Sequence, residues 1–243
     1  MTDACKREEL LICLVARLLA GVRHVAIGAL SPIPGAAALL TQAISTERVR
    51  VSFLQGRFNQ FTDGGRELFD AAAQGRIDAF FLGGVQIDGQ ANINLVGPGP
   101  YPKTARRFSG SFGSALMYYV VPRVILFREE HSPRTLVRKV DFISAPGVSP
   151  PGVYRPGGPA ALVTSLAHFS FDRSRAKFRL ESVHPGHTAE EVREQTGFDF
   201  DAPSEVPATP APEPDRLALL RGPIAARMAG LYPEFHARVF AAA

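Results

Sequence analysis

Apolar residues recur at helical spacing along residues 7–20, which are rich in Leu and Ala, and again along 35–45. Between them, residues 24–28 (HVAIG) form a short unbroken apolar run, which reads as a buried strand. The alternation continues. Residues 48–54 read as a strand, 65–75 as a helix, and 77–82, with Phe80 and Phe81, as a third strand. Strands alternating with helices predict βαβ units with right-handed crossovers and an open, mainly parallel α/β sheet flanked by helices. Ligands of such sheets sit beyond the carboxyl ends of the strands, where loops expose backbone N–H groups. Residues 29–35 (ALSPIPG), 55–65 and 83–94 (GGVQIDGQANIN) all follow predicted strands and hold Gly, Pro or small polar residues.

Further on, residues 97–113 contain four glycines together with Lys103, Arg106 and Arg107, and 123–127 (RVILF) read as a buried strand. Over 162–183 the pattern changes to alternation, VTSLAHFSF and AKFRLESV, about a turn at 172–174, which predicts a β-hairpin. Thr188 with Glu191 three residues on has the spacing of a helix capping box, and Gly197 follows as a stop. Residues 202–215 (APSEVPATPAPEPD) hold five prolines and predict an extended linker outside the core. Asp215 is expected to cap a short amphipathic helix (DRLALLRG), and residues 231–243 to form another. The organisation expected is an α/β domain over 1–201, a Pro-rich linker over 202–215 and a helical tail over 216–243, packed on the body or on a partner.

Composition narrows the function classes. With 243 residues, 46% of them hydrophobic, one sizeable core is the expectation. Lys and Arg number 27 against 23 Asp and Glu, without a run of like charge, so nucleic acid is not an expected partner. A ligand with several phosphates fits the modest basic excess equally well. Cys5 and Cys13 lack metal or redox spacing and read as reduced thiols. The apolar run at 10–16 is flanked by Glu8, Glu9 and Arg17 and reads as a core helix, not a targeting segment. No stretch approaches the roughly 18 apolar residues of a membrane span, so a cytoplasmic protein without membrane contact is expected.

Six segments, in order, resemble the β subunit of glutaconate-type, family I coenzyme A transferases. They are 75–94 (GRIDAFFLGGVQIDGQANIN), 109–115 (SGSFGSA), 136–147 (LVRKVDFISAPG), 162–172 (LVTSLAHFSFD), 183–200 (VHPGHTAEEVREQTGFDF), and the Pro-rich stretch with DRLALLR after it. The resemblance implies a CoA-transferase/NagB-RpiA-like fold and an α-type partner subunit, in a heterodimer or heterotetramer. The substrate implied is coenzyme A as an acyl-CoA thioester, with no permanently bound cofactor. In such enzymes a β-chain glutamate attacks the acyl-CoA and passes CoA to an incoming carboxylate through an enzyme thioester, because the nucleophile must become an anhydride and return unchanged. Oxyanions formed on the way are held by backbone N–H groups of glycine loops. Gln55, Gly56, Gly83, Gly84, Gln86, Gly110 and Gly113 are the candidate CoA and oxyanion-loop residues.

One position departs from the family pattern. The glutamate lies just past the second strand in such subunits, and here that place is taken by Leu54, in 51–56 (VSFLQG). Leucine forms no acyl anhydride. The next acids, Asp63 and Glu67, fall in a predicted loop and first helical turn. Three readings stay open: a hydrolase like the steroid-ring-opening branch, with the key acid on the α chain; a transferase whose carboxylate is Asp63 or a partner residue; or a non-catalytic subunit. Elsewhere, Asp88, Asn92 and Asn94 suit a tight turn, while Gln86 at a strand end is the better placed of these to face a ligand. Lys103, Arg106 and Arg107 suit CoA phosphates, a partner chain or solvent. His184 and His187 lack acidic or Cys ligands at matching spacing, and the Pro-Gly between them breaks any helix, so metal is not expected there.

Overall fold

The structure is a computed structural model describing residues 5–54 and 61–241. In chain order its elements are α1 (Arg7–Leu18), β1 (His24–Ile27), α2 (Pro32–Ile44), β2 (Arg50–Phe53), α3 (Gly64–Ala73), β3 (Ala79–Leu82), β4 (Gln86–Ile87), β5 (Ile93–Asn94), α4 (Ser114–Val120), β6 (Arg123–Phe127), β7 (Pro159–Val163), β8 (Ala167–Asp172), β9 (Lys177–Val183), α5 (Ala189–Glu194), α6 (Pro214–Leu219), α7 (Ala225–Leu231) and α8 (Pro233–Val239). The main sheet runs in the order β2-β1-β3-β6-β7-β8-β9, with β4 and β5 forming a separate antiparallel pair. β1 pairs in parallel with β2 and β3, and β6 with β7, whereas β8 is antiparallel to both β7 and β9. The expected mainly parallel α/β sheet is therefore the observed one. Among the described residues, no helix is long and apolar enough to cross a membrane.

Contacts divide the chain into two compact units. The first comprises residues up to 67, 77–79 and everything from 210 onward; the second comprises 68–76 and 80–209. In the first unit the strands are short and largely buried because helices cover them: Val25, Ala26 and Ile27 have no exposed surface, and neither do Leu11 and Ile12 of α1. Asp78 fixes the entry to β1, accepting from the amides of Arg23 at 2.7 Å and His24 at 2.9 Å while pairing with the Arg23 guanidinium at 3.1 Å. Burial raises its pKa, but these hydrogen bonds outweigh it and leave the carboxyl below its ordinary value.

In the second unit the predicted hairpin is present as β8 and β9, with Asp172 opposite Lys177. The expected first strand of that hairpin divides, however. Leu162 and Val163 belong to β7, and Thr164 reverses the chain before β8, its hydroxyl accepting from the amides of Leu166 and Ala167 at 3.2 and 3.1 Å. A hydroxyl that satisfies two amides makes a turn inside what reads as uninterrupted alternation.

Of the capping box expected at Thr188 the N-cap half forms, with the Glu191 amide donating to Thr188 Oγ1 at 3.1 Å, while the Glu191 carboxylate turns to His187 Nδ1 at 2.9 Å. At the last helices the boundary shifts: Glu213 is the N-cap of α6, Pro214 its first residue, and Asp215 lies in the first turn. Proline at the first helical position lacks only an N–H that would have gone unpaired, so the helix starts earlier than the aspartate suggests. A wide helical turn over Leu220–Ile224, kinked at Gly222 ahead of Pro223, joins α6 to α7.

Candidate functional site

In the first unit, the carboxyl ends of β1 and β2 carry residues 28–31 and Leu54. The Leu54 amide donates to Ile27 O at 3.0 Å, so Leu54 prolongs the parallel ladder by one residue, with its side chain half-buried. Gln55 and Gly56 lie outside the described residues. Ser31 precedes α2, yet its hydroxyl turns back to Ala29 O at 3.3 Å and does not cap the helix. Leu30 beside it is 85% exposed and takes the left-handed conformation, φ 57°. None of these side chains carries a carboxylate.

The nearest downstream acids in sequence are already engaged. Asp63 pairs with Arg66. Glu67, in the first turn of α3, accepts from the Asp63 amide at 3.2 Å and from Thr62 Oγ1 at 3.1 Å; the first of these chiefly holds its carboxyl below the ordinary value. Both acids serve the start of α3, where negative charge is favoured by the helix dipole.

Sequence reasoning missed Tyr232. It comes from the segment between α7 and α8, packs edge-on against Phe53 with ring centroids 6.4 Å apart, and lies within van der Waals reach of Gly35. Its hydroxyl has no hydrogen-bond partner among the described residues. Burial pushes the phenol up to about 12, against the pull of the Ser31 amide, which approaches without completing a hydrogen bond. A tyrosine some 180 residues from the loop it adjoins carries no local signal.

In the second unit, β3 runs into Gly83 and Gly84 and then into the β4–β5 hairpin. At Gly84 a Cβ would sit 2.8 Å from Gln86 O and 3.2 Å from Asn94 O, so only glycine lets the chain pass the hairpin this closely. Gly83 approaches Phe127 O, with 3.0 Å left for any added Cβ. Asp88 closes the hairpin: its Oδ1 accepts from the amides of Gln90 and Asn92 at 3.1 and 3.0 Å, the turn chemistry expected of it. Asn92 Oδ1 in turn accepts from the Gly147 amide at 3.1 Å.

Gln86, expected to face a ligand, is 7% exposed and engaged at both ends of its amide. Its Oε1 accepts from Asn94 Nδ2 at 2.8 Å and from the Asp141 amide at 2.9 Å, and its Nε2 donates to Asp141 Oδ2 at 2.8 Å. Asp141 Oδ2 also accepts from the Gly99 amide at 2.7 Å. Gln86, Asn94 and Asp141 thus brace the loops at 95–99 and 140–147 against the hairpin, a positioning role for which Asp141 gave no sign in the sequence.

Gly113 caps α4 with φ 62°, and an added Cβ there would overlap the Phe69 ring. The amides of the first turn of α4 therefore follow directly on a glycine turn, with Gly110 O accepting from Ser114 Oγ at 3.0 Å and Gly110 packed on Leu95. Phe112 stands 77% exposed beside this turn. Of the neighbouring cations, Arg106 lies over the Phe108 ring at 4.9 Å and Arg107 over Tyr101 at 5.8 Å. His184 has protein partners at both ring nitrogens, Thr209 Oγ1 at 2.8 Å and Thr164 O at 3.1 Å, and His187 pairs with Glu191.

The chain matches the family model described as coenzyme A transferase over residues 10–195. It is 35% identical over 153 residues to the β subunit of 3-oxoadipate CoA-transferase from Pseudomonas knackmussii, an alignment covering 60% of this chain and 58% of that one. To the β subunit of glutaconate CoA-transferase from Acidaminococcus fermentans it is 32% identical over 148 residues, 58% of this chain and 54% of that one. To the IpdB chain of the cholesterol ring-cleaving hydrolase from Rhodococcus jostii it is 30% identical over 160 residues, 64% and 62% of the two chains. The aligned part thus spans somewhat more than half the length of these relatives. The fold is shared with crystal structures of Acidaminococcus fermentans glutaconate coenzyme A-transferase (TM-score 0.78, 22% identity, 93% of this chain and 96% of that one) and of the decarboxylase AibA/AibB (0.77, 24%, 92% and 98%). With the family model matched from α1 through α5, the chain belongs to the coenzyme A transferase family.

Proposed function

We propose that this chain is the β-type subunit of a complex that pairs it with an α-type chain and acts on an acyl-CoA thioester. In this reading CoA is a substrate and not a resident cofactor, and the complex works in the cytoplasm. The observation that carries the mechanistic part is Leu54: a hydrocarbon side chain at the carboxyl end of β2, continuing the ladder through Ile27 O, where transfer would need a carboxylate. Asp63 and Glu67 serve the start of α3. An acyl anhydride on this chain is therefore disfavoured, and hydrolysis, with water taking the place of the carboxylate acceptor and the acid supplied by the partner chain, is the favoured chemistry. What remains for this chain is binding and polarisation. Backbone amides at the Gly83–Gly84 turn and at the start of α4 are groups of the type that hold a thioester oxygen.

The test is to purify the chain together with an α-type partner and supply a panel of acyl-CoAs with and without acetate. Free CoA appearing at the same rate in both conditions supports hydrolysis. Acetyl-CoA formed only when acetate is present overturns it in favour of transfer, and no turnover with either favours a structural subunit. A Leu54→Glu variant that gains acetate-dependent exchange would establish Leu54 as the displaced nucleophile position.

A further inference from the structure

At the amino end of β2, within the first unit, Arg48, Arg50 and Arg227 line a cavity of about 500 Å3 together with Gln42, Val49 and Val51. That volume lies in the range of small-molecule sites, about 300–1,000 Å3. β2 is the outermost strand of the sheet on this side, so the cavity opens beside a strand edge. Among the described residues, no acidic side chain lines it. The side chains of Arg48 and Arg50 enter no hydrogen bond or ion pair among the described residues, and Arg50 is felt at Glu67, an acid already engaged at the start of α3.

Arg227 is held in place. Gln42, near the end of α2, donates from Nε2 to Val49 O at 2.7 Å and accepts on Oε1 from Arg227 Nη1 at 3.0 Å. The amide thereby ties the guanidinium to the strand and leaves its remaining N–H donors for something else. Three like charges gathered without a counter-charge raise one another's energy, and a bound anion relieves it. Guanidinium groups present several N–H donors in a plane, which matches phosphate oxygens better than halide or a single carboxylate.

We propose that this cavity binds a phosphate-bearing anion with more than one charge, such as a diphosphate. Arg50 reaches it from the first residue of β2, Arg48 from the segment just before that strand, and Arg227 closes it from α7. Arg50 and Leu54 are four residues apart on an extended strand, about 13 Å at the usual rise of about 3.3 Å per residue. The site is thus separate from the carboxyl end of β2 and does not depend on the thioester reading. Two sources carry this chemistry, free diphosphate and the phosphates of coenzyme A itself.

Isothermal titration of the full chain, alone and in complex with its partner, with inorganic pyrophosphate at low salt tests the site. Saturable binding is expected, weakened at least tenfold in Arg50→Gln and also in Gln42→Ala, which keeps all three charges but releases Arg227. Arg134→Gln, which removes a surface partner of Glu130, serves as a charge-matched control and leaves the affinity unchanged. Competition between pyrophosphate and coenzyme A would identify the phosphates of coenzyme A as the ligand; simultaneous binding would identify a free anion. No saturable heat with the wild-type chain, or unchanged affinity in the triple Arg48→Gln, Arg50→Gln, Arg227→Gln variant, overturns the proposal.

Discussion

Glu9 is an acid where the pattern of α1 calls for an apolar residue, and it is only 1% exposed. Arg221 grips it with two hydrogen bonds, Nε to Oε1 at 2.7 Å and Nη2 to Oε2 at 2.9 Å, while the Lys6 amide donates to Oε2 at 2.9 Å. Burial raises the carboxyl pKa, but the Arg221 hydrogen bond and the Lys6 amide overcome it and the net shift is downward. A depressed folded pKa means that the pair stabilises the fold above the ordinary carboxylate value, and that this contribution is lost as pH falls through the folded one. Glu9→Gln should cost about 3 kcal/mol, at the low end for a broken buried pair because Arg221 keeps some solvent, read as a lower urea midpoint at pH 7. In the sequence Glu9 served only to argue against a targeting segment. Its partner stands 212 residues away, and nothing in local spacing connects the two. Leu54 is the opposite case: a strand end is a local feature, so its position could be read directly and the structure places it there.

Elements at the end of the second unit are joined by a buried polar network centred on Thr164. His131 lies between Thr164 Oγ1 at 2.8 Å and Thr196 Oγ1 at 2.9 Å, and His184 bridges Thr164 O and Thr209 Oγ1. Ser182 reaches the same Thr209 hydroxyl at 2.7 Å. These bonds tie the loop after β6, the ends of β7 and β9, the turn after α5 and the Pro-rich stretch into one cluster. Burial pushes the pKa of both histidines down to about 4. The unfolded chain therefore takes up protons first as pH falls below about 6.5, and stability declines steadily between 6.5 and 4, by up to roughly 3 kcal/mol per histidine. Unfolding midpoints measured across that range should fall together with pH and stay flat above 7. Thr209→Val removes the shared hydroxyl and leaves His184 Nδ1 and Ser182 Oγ without it, a loss of about 1–3 kcal/mol measurable at pH 7.5, where neither histidine titrates. The extended character of 202–215 was legible from its prolines. Its lodging against β9 was not: Thr209 N donates to Val183 O at 2.7 Å and Val183 N to Pro207 O at 3.0 Å, pairings between segments that each look complete alone.

At the scale of the molecule, the order of elements was readable because each strand and helix has its own period, whereas the grouping of those elements was not. A reading that moves along the chain leaves the last helices as a tail, yet contacts place residues from 210 onward in one unit with the N-terminal segment. Leu220, Ile224, Met228, Tyr232, Phe235 and Val239 are all at most 7% exposed, Lys6 Nζ donates to Val239 O at 2.7 Å, and Arg221 neutralises Glu9. Removing the chain from Pro210 onward would strip these side chains from the unit, each contributing about 1.5–3 kcal/mol of burial, and would leave Glu9 as an uncompensated buried charge. The sum is as large as the roughly 5–15 kcal/mol by which a domain is stable. A chain ending at residue 209 should therefore lose the far-ultraviolet helical signal of α1 and α2 and become rapidly digestible up to about residue 67, while β6–β9 keep their protection in hydrogen exchange, because their aromatic cluster around Phe169 and Phe178 and the network around Thr164 lie entirely within the second unit. Undiminished protection of α1 and α2 in the shortened chain would show that the C-terminal helices lie on a first unit that already stands without them.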